Sequence, residues 1–159
     1  MRVAILRDNK PESSLKWEIA CRKYNVPFVT INMLRNNWLD LIMDFNPDFC
    51  VTRPPGDIFQ NKTVFDGKIF FLQHYTNYPV YPGFLETYIY ENKSTLSWFL
   101  VANDIPHPLT FVSSDREEAN SLLEQFTFPL VAKTVIGAAG SGVRILKTKK
   151  DAEGYIAKI

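Results

Sequence analysis

Near the start of the chain, Val3-Ala4-Ile5-Leu6 forms an uninterrupted apolar run, followed by a polar loop containing Pro11 and then by a segment with helical spacing. A strand whose successive side chains are all apolar needs cover on both faces, and a parallel sheet flanked by helices supplies it. From Ser13 to about Tyr24, the residues Trp17, Ala20, Cys21 and Tyr24 recur at i, i+3, i+4 and i+7, which predicts a helix with Lys16, Glu18 and Arg22 toward solvent. Pro27 introduces a second strand over 28–31. Trp38, Leu41 and Ile42 mark a short helix that stops near Asn46-Pro47, and Phe49-Cys50-Val51 reads as a third strand. The run over 69–72 reads as a fourth. Strands alternating with helices or long crossovers predict a small parallel α/β domain over residues 1–84.

Lys and Arg total 18 against 17 Asp and Glu, a formal net charge of +1. That balance argues against a protein that tracks nucleic-acid phosphates. No apolar run approaches the roughly 20 residues of a membrane-spanning helix, and Arg7 and Asp8 interrupt the first one too early for a secretory signal. The expected location is cytoplasmic, without a membrane partner. Cys21 and Cys50 fall in core elements without metal-ligand spacing, so they are expected as buried free thiols, and no metal ligands are assigned.

The second part of the chain, 85–159, has a different pattern. A helix is expected over about 94–103 with Leu96, Phe99 and Leu100 inward, ended by Ile105-Pro106-His107-Pro108. A short strand follows over 110–112. Ser114-Asp115-Arg116-Glu117 reads as a capping box before a helix carrying Ala119, Leu122, Leu123 and Phe126. The apolar segments 130–135 and 143–146 are expected to pair antiparallel across a glycine-rich connection. Another helix is expected to begin after Thr148, with Ala152, Tyr155 and Ile156 on it. A two-stranded ribbon with so few helices is marginal alone, so the unit is expected to be incomplete.

The connection Gly137-Ala138-Ala139-Gly140-Ser141-Gly142 lacks bulk, which lets backbone N–H groups approach an anion such as a nucleotide phosphate. It lacks the Gly-Lys-Ser/Thr of a Walker A loop, and position 145 is Ile rather than the glycine of a dinucleotide fingerprint. A plain hairpin loop satisfies the same composition. Lys133, at the end of an apolar strand, needs a partner if that strand is buried, and a phosphate would serve. Lys93 is a second cation, just before a helix. At the ends of the first-domain strands, Asp8, Arg53 and His74 are the candidate substrate contacts, and the planar fork of Arg53 suits a carboxylate.

Asn92-Lys93, the helix after it, Ile105-Pro106-His107-Pro108-Leu109-Thr110, the capped helix, the run Phe128-Pro129-Leu130-Val131-Ala132-Lys133 and the loop 137–142 with Val143 together resemble the first half of an ATP-grasp domain. The resemblance spans about 91–156. It implies an α/β fold: a small parallel-sheet pre-ATP-grasp domain followed by an incomplete α+β ATP-grasp subdomain with an antiparallel hairpin. It also implies that Lys93 and Lys133 face ATP phosphates, with Lys133 near adenine as well, and that 137–142 is a mobile flap over the β- and γ-phosphates. Magnesium ligands are implied for the other half of such a domain, so this chain is expected to be inactive alone.

The chemistry implied is that of a carboxylate–amine ligase acting through an acyl phosphate, on small-molecule carboxylate and amine substrates, with a homo-oligomeric parent protein as a further expectation. Carboxylation or thiol ligation on the same scaffold is not separated from this by these residues. A non-catalytic nucleotide- or metabolite-binding α/β module is the alternative from another class.

Overall fold

The computed structural model describes residues 1–137, 140 and 142–158. The chain divides between Glu91 and Asn92 into two units.

In the first unit, β1 (Val3–Arg7), β2 (Phe28–Asn32), β3 (Phe49–Thr52) and β4 (Val80–Tyr81) form a parallel sheet in the order β2-β1-β3-β4. Alternation along β1 feeds two cores. Ala4 and Leu6 pack with Ile31, Met33, Ile42, Cys50, Phe65, Ile69 and Leu72, drawing in α2 (Trp38–Phe45) and α3 (Phe59–Tyr75). Val3 and Ile5 pack on the other face with Val51 and with Cys21 of α1 (Leu15–Lys23). Both cysteines are buried free thiols. Burial pushes the Cys50 thiol up to about 12, which keeps it a protonated core group rather than a nucleophile.

The run 69–72 is not a strand. It lies within α3, where Phe65, Ile69 and Leu72 are buried at i, i+4 and i+7 while Phe70 and Phe71 are exposed. A short apolar run carries no period of its own, and here the helical period extends upstream to Phe65. The fourth strand is the two-residue β4, paired through Cys50 with Val80 and Val51 with Tyr81. α4 (Phe84–Ile89) is held to α3 by Lys62, whose ammonium donates to the Thr87 carbonyl at 2.6 Å.

Glu18 faces the sheet rather than solvent. Its carboxylate accepts from Ser14 Oγ at 2.8 Å, from Thr30 Oγ1 of β2 at 3.1 Å and from Arg22 at 3.0 Å. Tyr24 and Trp17, expected inward, are exposed. The bond from Ser14 holds the Glu18 carboxyl below its ordinary value of 4.5, with Thr30 and Arg22 acting in the same direction against desolvation. A depressed carboxyl stabilises the fold above its unfolded pKa, and that contribution is lost as pH falls through the folded value. Replacing Glu18 with Gln is therefore expected to flatten the decline in stability below pH 4.5, read as melting temperature against pH; an unchanged acid limb would count against it.

In the second unit, α5 (Lys93–Ala102) is followed by α6 (Arg116–Leu122), the antiparallel pair β5 (Leu130–Lys133) and β6 (Val143–Leu146), and α7 (Lys149–Ile156). Its core joins Leu123, Leu146, Ala152 and Ile156, with Ala119, Phe128, Leu130 and Ala132 against them. Thr148 and Asp151 close a reciprocal capping box on α7.

Three expectations need correction here. Residues 110–112 form no strand. The cap of α6 sits one residue later than the Ser114 pattern, because the Asp115 carboxylate accepts from the Glu118 N–H at 2.8 Å. In α5, Leu96 and Phe99 are exposed, and the buried positions are Ser94 and Ser97. Among the described residues no helix is long and apolar enough to cross a membrane.

Candidate nucleotide phosphate site

Asn92 precedes α5 and caps it, its side-chain oxygen accepting from the Thr95 N–H at 3.1 Å. Asparagine is among the favoured N-cap residues because a short side-chain oxygen reaches the unpaired N–H groups of the first turn. Asn92 also forms an isolated antiparallel bridge with Ile136, and the Lys93 N–H donates to the Val135 carbonyl at 2.9 Å. The start of α5 is thereby stitched to the chain leaving β5. The Lys93 ammonium completes the stitch by donating to the Gly137 carbonyl at 2.5 Å, across 44 positions of sequence. A first-turn lysine and the first residue of the glycine-rich loop share one place.

The far end of the loop is fixed as tightly. Thr134 N–H donates to the Gly142 carbonyl at 3.0 Å, and Val143 N–H to the Gly140 carbonyl at 3.2 Å. Gly142 has φ +72°, and a Cβ there would lie 2.0 Å from Thr134 Oγ1. Position 142 therefore requires glycine twice over, for its backbone conformation and for the space Thr134 takes. Ala138, Ala139 and Ser141 lie outside the described residues.

Lys133 is exposed, against the expectation of a buried strand lysine. The hairpin is covered on one face only. Leu130 and Ala132, opposite Leu146 and Arg144, turn toward the helices, whereas Val131 and Lys133 pair directly with Ile145 and Val143 on the other face. There Val131 is 58% and Ile145 68% exposed, so Lys133 stands beside an uncovered apolar strip. An exposed apolar strip beside an ammonium complements the two chemistries a nucleotide presents, a base face and an anion.

In the first unit, the suggested substrate residues part company. Asp8 is buried, and its Oδ1 accepts from the Lys10 N–H at 2.9 Å and Ser13 Oγ at 3.1 Å, which fixes the loop after β1. His74 lies on α3 rather than beyond a strand, 4.5 Å between centroids from the Phe70 ring. Arg53, exposed after β3, lines an open cavity of about 390 Å³ with Glu12, Ser13, Lys16, Trp17 and Ala20. Among the described residues no cluster of three or more His, Cys, Asp or Glu side chains is placed to hold a metal ion.

Sequence reasoning named Asn92 only beside Lys93 and did not single out Thr134; the first joins the start of α5 to Ile136, and the second holds Gly142. The signal for Asn92 was present, a cap-forming asparagine directly before the helix; for Thr134 there was none, since its role depends on the close approach of Gly142.

Residues 91–158 match the family model of the RimK-like ATP-grasp domain. No curated protein sequence matches the chain. Among solved structures, a RimK domain ATP-grasp protein from Sphaerobacter thermophilus is similar with a TM-score of 0.70 and 16% identity, over 99% of this chain and 58% of its own. The carboxyaminoimidazole ribonucleotide synthase of Aspergillus clavatus, solved with ATP, is similar with a TM-score of 0.71 and 12% identity, over 98% of this chain and 44% of its own. D-alanyl-alanine synthetase A from Vibrio cholerae has a TM-score of 0.59 and 16% identity, over 99% of this chain and 55% of its own. The chain thus spans about half the length of these neighbours. It has the fold of the N-terminal part of the ATP-grasp proteins, a small parallel α/β unit followed in sequence by the first subdomain with its antiparallel hairpin.

Proposed function

We propose, from the premise that residues 91–158 match a RimK-like ATP-grasp domain, that this chain supplies the phosphate-binding part of an ATP-dependent carboxylate–amine ligase. The observation that carries this reading is the bond from Lys93 to the Gly137 carbonyl, which brings a lysine to the start of the glycine-rich loop. The residues fit a nucleotide. Lys93 and Lys133 supply positive charge to the phosphates, the glycine-rich loop is the proposed source of short neutral N–H donors, and Val131 and Ile145 offer the base an apolar face. Binding there orients the terminal phosphoryl group and offsets charge that builds during its transfer.

The chemistry proposed is attack of a substrate carboxylate oxygen on the γ-phosphorus, with ADP leaving, and then attack of an amine nitrogen on the acyl carbon, with phosphate leaving. The magnesium that accompanies ATP in such chemistry has no ligand cluster among the described residues, and its carboxylates are expected from the remainder of an ATP-grasp domain. The ligase activity is accordingly assigned to this chain joined to such a remainder. In the first unit, Arg53 is the proposed carboxylate contact.

Hydroxylamine trapping tests the reaction. In a protein carrying this chain with a complete ATP-grasp domain, ATP, the carboxylate substrate and hydroxylamine are expected to yield the acyl hydroxamate with one ADP and one phosphate. Nucleotide binding without any ADP formation across a broad panel of carboxylates would favour a non-catalytic nucleotide-binding module.

A further inference from the structure

The last residues of β1 and β2, Arg7 and Asn32, are register partners in the parallel sheet. Where the two strands end, Arg7, Asn9, Asn32, Leu34 and Arg35 line an open cavity of about 330 Å³. That volume lies at the lower end of the range of small-molecule sites, and the carboxyl edge of a parallel sheet is where such sites form.

The walls are braced independently of any ligand. Asn32 donates from Nδ2 to Asn9 Oδ1 at 2.9 Å and accepts at Oδ1 from the Leu34 N–H at 3.0 Å, so its amide holds both sides of the opening. The Met33 N–H donates to the Arg7 carbonyl at 2.8 Å. Lys68 of α3 clamps the following turn from beneath, donating to the Met33 carbonyl at 2.6 Å and the Arg35 carbonyl at 3.2 Å. The Arg7 guanidinium is oriented by one bond, from NH1 to the Asp8 carbonyl at 2.8 Å.

Charge sets this cavity apart from the one beside Arg53. There Glu12 lies among the lining residues with Lys16 and Arg53. Here two guanidinium groups line the cavity and no carboxylate does. Asp8, next to Arg7, spends Oδ1 on Lys10 and Ser13 in its own loop. Two like charges brought to one cavity repel, and an anion between them removes that repulsion while gaining forked, charge-assisted hydrogen bonds.

We infer that the cavity bounded by Arg7 and Arg35 is a binding site for the carboxylate or phosphate group of a small molecule. It stands on the first unit alone and does not rest on the nucleotide reading. The test is an amide chemical-shift titration of the whole chain at low salt, with inorganic phosphate in one arm and succinate in the other. Saturable shifts at Asn9, Asn32, Leu34 and Arg35 are expected with at least one of them, and the arm that saturates at lower concentration identifies the anion. Arg35→Gln, on an exposed side chain, is expected to weaken binding at least tenfold with the rest of the spectrum intact. Arg7→Gln should do the same, and Lys23→Gln on α1 should leave it unchanged. Absence of saturable shifts in both arms, or unaltered affinity in a folded Arg35→Gln protein, would overturn the assignment.

Discussion

Replacing Lys62 with Met is expected to destabilise the first unit by about 3–5 kcal/mol. Lys62 is 1% exposed on α3, and its ammonium is paired with the buried Asp66 one turn along and with the Thr87 carbonyl of α4. Burial pushes the ammonium down and the Asp66 carboxyl up, and each charge is sustained chiefly by the other. Asp66 Oδ1 already has no hydrogen-bond partner among the described residues, so the carboxylate has nothing in reserve once the lysine is gone. Methionine keeps the stem and removes only the charge and its donors. Removing both charges is a different matter, because the desolvation cost disappears with them. Lys62→Met combined with Asp66→Leu should recover most of the loss. Urea denaturation of the three variants decides it; a single variant within about 1 kcal/mol of the parent, or a double variant no better than the single, would contradict this account.

How much of this was legible beforehand depended on whether a segment carried its own period. β1 and β3 announced themselves as continuous apolar runs, and α7 as a cap followed by Ala152, Tyr155 and Ile156 at helical spacing. The run 69–72 did not, because Phe70 and Phe71 are apolar but face outward, which erased the contrast that separates a helix from a strand. Glu18 was misread for the opposite reason. A charged residue on an amphipathic helix is ordinarily solvated, and only Thr30 on the facing strand shows that its carboxylate is used inside. For Lys133 the expectation of a buried strand lysine failed: the strand is covered on one face, and alternation places this lysine on the other. The joining of Lys93 to Gly137 is a tertiary contact that no local pattern encodes, and only the ordered set of motifs pointed to it.

The second large effect concerns Lys133, and it tests the central claim. ATP and adenosine are titrated separately into the parent chain and into Lys133→Met, following the amides of Lys93, Lys133, Gly140 and Gly142. If Lys133 contacts a phosphate, losing one charge-assisted hydrogen bond costs about 1.5–3 kcal/mol, a drop on the order of tenfold to a hundredfold in ATP affinity. Adenosine carries no phosphate and has only the strip of Val131 and Ile145 to meet, so its weaker binding should be unchanged, since methionine preserves the apolar stem. The exposed position of Lys133 makes unfolding an inadequate explanation for such a loss, and an unaltered melting temperature would confirm this. A tenfold or greater loss for ATP alone is the result this account predicts; equal ATP affinity in the folded Lys133→Met protein, or ATP-induced shifts that avoid all four amides, would contradict it.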